Sequence, residues 1–155
     1  MGFSSAGRHA GKTAETLRCA QGDVDHLRAL LAGGEEASTA DGAYWTPLHE
    51  AAAHGSLAAV RLLLDQGADV KARTDLSYTP LHFAASGDRV EVAELLLAHG
   101  AEVNALTAKG ETPLDLARRF TPKPDGERMS ELLERHGGET KRQPRRPRGE
   151  AGGAT

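Results

Sequence analysis

Thr46-Pro47-Leu48-His49-Glu50-Ala51-Ala52-Ala53-His54-Gly55 reads as one short helix with both ends marked. Thr46 is a good N-cap, and Pro47 stands at the first helical position, where its missing N–H costs nothing. Leu48, Ala51 and Ala52 form an apolar face at i, i+3 and i+4, and Gly55 can end the helix with a left-handed residue. A second helix follows, with Val60, Leu63 and Leu64 inward and Arg61 and Asp65 outward. Gly67 ends it, and Ala68-Asp69-Val70 leads away as an extended link.

The same pattern recurs. Thr79-Pro80-Leu81-His82 and Thr112-Pro113-Leu114-Asp115 repeat the opening tetrad, each 33 residues after the last. At the same offset Leu63-Leu64 maps onto Leu96-Leu97, Gly67-Ala68 onto Gly100-Ala101 and Val70 onto Val103. One step back, Leu30-Leu31, Gly34 and Gly22 fall in the registers of Leu63-Leu64, Gly67 and Gly55. A period shared by so many residue types marks a repeat array. One helix pair buries too little surface to stand alone, so the units must stack into a quasi-linear solenoid.

Composition agrees with this architecture. Of 155 residues 39% are hydrophobic but only 4% aromatic, so Ala, Leu and Val must supply the core. Helices that touch through Ala approach closely and need no large rings. No apolar run approaches the ~20 residues of a membrane span. Met1 to Lys12 lacks the apolar stretch of a signal peptide, and Ala6 stands where a myristoylation signal needs Ser or Thr. The single cysteine, Cys19, excludes an internal disulfide and a multi-cysteine zinc site and fits a reducing compartment. It shares the register of Ala52 and Ala85, which makes it a small packing residue. A soluble cytoplasmic monomer is the expectation.

The net charge of −3 argues against a broadly basic nucleic-acid binder. The charge is uneven, however. Residues 1–111 carry 9 Lys/Arg against 15 Asp/Glu, and residues 112–155 carry 10 against 7, an acidic body with a basic end.

Thr-Pro-Leu-His followed by Ala-Ala, then Gly, Leu-Leu and Gly-Ala-Asp-Val at a spacing of 33, resembles the ankyrin repeat. The resemblance covers roughly residues 13–138. It implies an all-α fold, an α-solenoid of stacked helix-turn-helix pairs with β-hairpin-like loops projecting at right angles. It also implies protein–protein recognition in place of catalysis, with no cofactor. Repeats are expected at about 8–40, 41–73, 74–106 and 107–138, two internal and two capping. Residues 1–7 and 139–155 are expected to be disordered tails.

Departures from the pattern are placed accordingly. The first unit has Thr13-Ala14-Glu15-Thr16 in place of the tetrad and reads as an N-terminal cap. In the third, Gly87 comes one position early and Asp88 takes the usual Gly slot. The fourth replaces His with Asp115, carries Pro122, Pro124 and Gly126 between its helices, and has a second helix at about 128–136.

Two stretches imitate catalytic motifs. His49 and His54 evoke a zinc-protease helix, but that motif needs i and i+4 on one face. Spacing of i+5 turns the second ring about 140° away at ~100° per residue. The repeat explains His49 and His82 better: in the resembled family this ring bonds locally and braces the neighbouring loop. Gly7-Arg8-His9-Ala10-Gly11-Lys12-Thr13 looks like a phosphate loop, with one residue too few between its glycines and no preceding strand. Nothing points to an enzyme, and no metal ligand set is assigned.

The residues that the repeat does not dictate carry the functional reading. Hairpin tips and the exposed side of the first helices form the recognition surface of the resembled family. Just before the Thr-Pro pair stand Lys12, Trp45, Tyr78 and Glu111 in successive units, a row once the units stack. Trp and Tyr are enriched in binding hot spots. Around them lie Tyr44, which occupies the usual hairpin Gly slot, together with Arg73, Asp75, Leu76 and Lys109. Farther down come His54, Ser86 and Arg119. The partner-binding set is therefore Tyr44, Trp45, Arg73, Asp75, Leu76, Tyr78, His54, Lys109 and Glu111. The plain alternative is that Trp45 and Tyr78 pack against neighbouring hairpins and stiffen the array, while Arg73 and Lys109 are solvated charges.

The tail Lys141-Arg142-Gln143-Pro144-Arg145-Arg146-Pro147-Arg148 packs five cations into eight residues. It offers a second reading, association with nucleic acid or an anionic surface. No aromatics are interleaved to stack on bases, which favours a solubilising tail.

Overall fold

The computed structural model describes residues 16–34, 40–121, 124 and 126–140. The expectations for residues 1–7, the basic segment 141–148, Lys12 and the phosphate-loop imitation lie outside these. Helical residues 16–19 lead into α1 (Val24–Ala32), followed by α2 (Pro47–His54), α3 (Leu57–Asp65), α4 (Pro80–Ser86), α5 (Val90–Ala98), α6 (Pro113–Phe120) and α7 (Glu127–Arg135). Among the described residues there is no strand. The fold is an all-α solenoid.

The Thr-Pro tetrad starts each first helix for a visible reason. The hydroxyls of Thr46, Thr79 and Thr112 accept from the backbone N–H of His49, His82 and Asp115 at 3.4, 3.4 and 3.2 Å. In return His49 Nδ1, His82 Nδ1 and Asp115 Oδ2 accept from the backbone N–H of the threonines at 3.0, 3.0 and 2.9 Å. This is a reciprocal capping box, with Pro47, Pro80 and Pro113 at the first helical positions. The helices end as read. Gly55 has φ 74°, and Asp88, standing in for glycine, has φ 56°.

The units stack in two layers. First helices α2, α4 and α6 form one row, and α1, α3, α5 and α7 form the other. Leu48, Leu63, Leu81, Leu96 and Leu133 are fully buried, and so are Ala51, Ala52, Ala84, Ala85 and Ala117. Alanines at the seam of the first row allow that row to sit closely, and each buried Leu adds about 2 kcal/mol of transfer free energy. Cys19 is buried in this core, in the same register as Ala52 and Ala85. At the far end Asn104 donates to the carbonyl of Gly137 and accepts from the N–H of Glu139, at 3.0 and 2.7 Å.

Candidate functional site

Loops between units repeat one hydrogen-bond plan. The N–H groups of Asp41, Thr74 and Thr107 donate to the carbonyls of Trp45, Tyr78 and Glu111 at 3.1, 3.0 and 3.0 Å. The side chains of Asp41, Thr74 and Thr107 accept from the N–H of those same three residues at 3.0, 3.1 and 3.2 Å. Each loop thus closes on itself without forming a strand. Consecutive loops are then tied together, since Asp75 N–H donates to Ala43 O at 3.0 Å and Ala108 N–H to Leu76 O at 2.9 Å. The tips form a continuous edge.

Turning the chain at each tip requires a left-handed residue. Gly110 fills that slot in the last loop with φ 72°, while Tyr44 and Ser77 fill it with φ 59° and 63°. A residue with a Cβ there costs about 1 kcal/mol or more. Tyr44 is nevertheless 64% exposed, and Leu76 at the next tip is 58% exposed. Each is one residue from the bond joining Ala43 to Asp75.

At the loop base the rings are packed. Phe83 projects from α4 between two neighbours: Trp45 meets it edge-on at 4.6 Å, and Tyr78 stacks on it at 5.3 Å. Trp45 also lies 5.5 Å from the His49 ring, and Tyr78 lies 5.7 Å from His82. Trp45 and Tyr78 are half-buried. Through Phe83 the two rings pack into one cluster at the bases of neighbouring loops. Phe83 therefore does more than fill an apolar helix slot; it joins the bases of two loops.

His49 and His82 connect each unit to the next. With Nδ1 accepting from the threonine N–H, the proton resides on Nε2. His49 Nε2–H lies 3.0 Å from both the Ala72 and the Tyr78 carbonyls, and His82 Nε2–H lies 3.1 Å from the Glu111 carbonyl. Both rings are fully buried. Burial lowers their pKa below the ordinary 6.5, a shift that the carbonyl bonds only partly offset. The neutral ring is the structural form, with Nδ1 engaged in the cap and Nε2–H in the carbonyl bonds. Asp115 keeps the cap of the last unit but has no second nitrogen to pass onward.

The other sequence-derived site residues fall into distinct places. His54 Nε2 lies 2.8 Å from Glu50 Oε1 on the exposed end of α2. Nothing in the repeat pattern singles out Glu50, yet it also accepts from Trp45 Nε1–H at 2.6 Å and from Gln21 Nε2–H at 2.8 Å. It ties the first unit to the second. Arg73 reaches the next unit, donating to Leu106 O and Glu102 Oε2, both at 3.2 Å. Asp75 and Lys109 are exposed at the tips. Glu111 departs from the exposed row expected for it: it is only 8% exposed and pairs with Arg119. Leu106 and Phe120, exposed by 48% and 58%, are surface residues that the sequence pattern does not mark.

Three reciprocal capping boxes, a histidine relay between units and loops projecting from stacked helix pairs define an ankyrin-type solenoid. Residues 48–97 match the family model described as ankyrin repeats (many copies), and the chain carries ankyrin repeats there. No curated protein matches the chain. Ankyrin repeats generally mediate protein–protein interaction and are typically non-enzymatic. No helix among the described residues is long and apolar enough to cross a membrane.

Proposed function

We propose that this chain is a protein-recognition module whose partner docks on the loop edge and the adjoining face of the first helices, with Tyr44 and Leu76 as its apolar anchors. The observation that carries this reading is Tyr44 itself. It holds a left-handed backbone at a cost, in a slot where glycine would be strain-free, and its ring gains little burial in return. Trp45, Tyr78 and Phe83 stiffen the base beneath, so the tips are held in place before contact and little entropy is lost on binding. Asp75 and Lys109 flank the anchors with opposite charges that set orientation more than affinity. Arg73 and His54, each already paired, contribute at the rim.

The test is a titration of a partner recovered with the wild-type chain. Tyr44→Ala with Leu76→Ala is expected to weaken binding at least tenfold with helicity unchanged. Equal affinity for the double variant would remove these tips from the interface.

A further inference from the structure

The turn between helical residues 16–19 and α1 gathers three side chains of metal-binding chemistry. Cys19, Asp23 and His26 each offer one ligand atom, and the three atoms lie within 4.8 Å of one another. We propose that they form a site for a soft divalent cation, zinc in the first instance, which clamps the first helical segment onto α1.

Three observations converge on this cluster. The donor set is a thiol sulfur, an imidazole nitrogen and a carboxylate oxygen, the mixture that zinc accepts in tetrahedral sites with one position left for water. The geometry is close to what is needed. Ligand bonds of ~2.0–2.3 Å put tetrahedral ligands roughly 3.3–3.8 Å apart. Asp23 Oδ2 and His26 Nδ1 are 4.0 Å apart, and both side chains are exposed enough to rotate inward. Asp23 Oδ1 meanwhile accepts from His26 N–H at 3.1 Å, which fixes the carboxylate at the helix N-terminus. Cys19, 3% exposed, would form the floor of the site.

The repeat register supplies the third observation. Cys19 stands where the next units have Ala52 and Ala85, Asp23 where they have Ser56 and Arg89, and His26 where they have Ala59 and Val92. Ala59 and Val92 are buried, whereas His26 is exposed in the first unit, where a polar side chain is accommodated. The departures from the pattern meet at one point in space. Binding would exchange the Cys19 thiol proton for the cation, with the proton released to solvent, so affinity would rise with pH.

Cobalt titration of the full chain tests the site, because the chain has a single thiol and the sulfur-to-cobalt charge-transfer band in the near ultraviolet can come only from Cys19. One equivalent of Co2+ is expected to develop that band, and Zn2+ to abolish it. Cys19→Ala, which installs the residue of the other units, should remove the band with helicity retained. His26→Ala and Asp23→Asn should each weaken the cobalt affinity at least tenfold, the Asn keeping the helix cap. Zn2+ should also raise the melting temperature of the wild type and leave that of Cys19→Ala unmoved. Absence of the band at millimolar cobalt would overturn the proposal, as would a band of undiminished affinity in both His26→Ala and Asp23→Asn.

Discussion

Tyr44 and Trp45 are consecutive in the chain, yet the fold uses them in opposite ways. Trp45 is held edge-on against Phe83 at 4.6 Å and donates its indole N–H to Glu50. Tyr44 is 64% exposed and holds a left-handed backbone that glycine adopts freely in the last loop. The same division separates Tyr78, stacked on Phe83, from the exposed Leu76 two residues earlier. At the loop bases the rings pack together, while two of the three tips carry a large exposed side chain, Tyr44 and Leu76.

The division between base and tip breaks most severely where the base is attacked from below. His82→Ala removes a fully buried ring, leaves the Thr79 N–H without its acceptor and the Glu111 carbonyl with the Thr107 N–H as its remaining donor. A loss of about 3–4 kcal/mol is expected in urea unfolding, with both loops of that junction loosened. Phe83→Ala takes away the surface shared by Trp45 and Tyr78. It should cost about 2–3 kcal/mol, less than a fully buried aromatic because the ring is only half-buried.

Acid offers a graded attack on the same base. His49 and His82 have folded pKa values below the ordinary 6.5, so the unfolded chain takes up their protons first. Their contribution is complete above about pH 6.5 and falls as the pH drops from there toward the folded values. Each histidine accounts for up to about 1.4 kcal/mol per pH unit within that window. Urea midpoints measured across pH 7 to 5 check the slope, and a His82→Gln variant should flatten it.

How much of this was legible in the sequence follows from what the repeat dictates. Thr46, Pro47 and His49 repeat at a fixed spacing because one local capping box builds every first helix, and local bonds are readable from spacing. Asp88 in a glycine slot was readable for the same reason: its backbone angle is set by the turn. The direction of Phe83 was not. Its register partners are Glu50, a half-buried carboxylate, and Leu116, a buried aliphatic, so the period alone does not decide which way a ring will face. Glu50 as a junction between Gln21, Trp45 and His54 also required knowledge of how units sit side by side. The burial of Glu111 depends on Arg119 from the next helix, a contact that no spacing within one loop reveals.

The tip–base division is tested most directly by urea unfolding of Tyr44→Gly beside Trp45→Ala. Relief of the left-handed strain should leave Tyr44→Gly as stable as the wild type or more stable by up to ~1 kcal/mol. Trp45→Ala should lose about 2 kcal/mol with the Phe83 contact and the Glu50 bond. A Tyr44→Gly chain destabilised as much as Trp45→Ala would contradict the account.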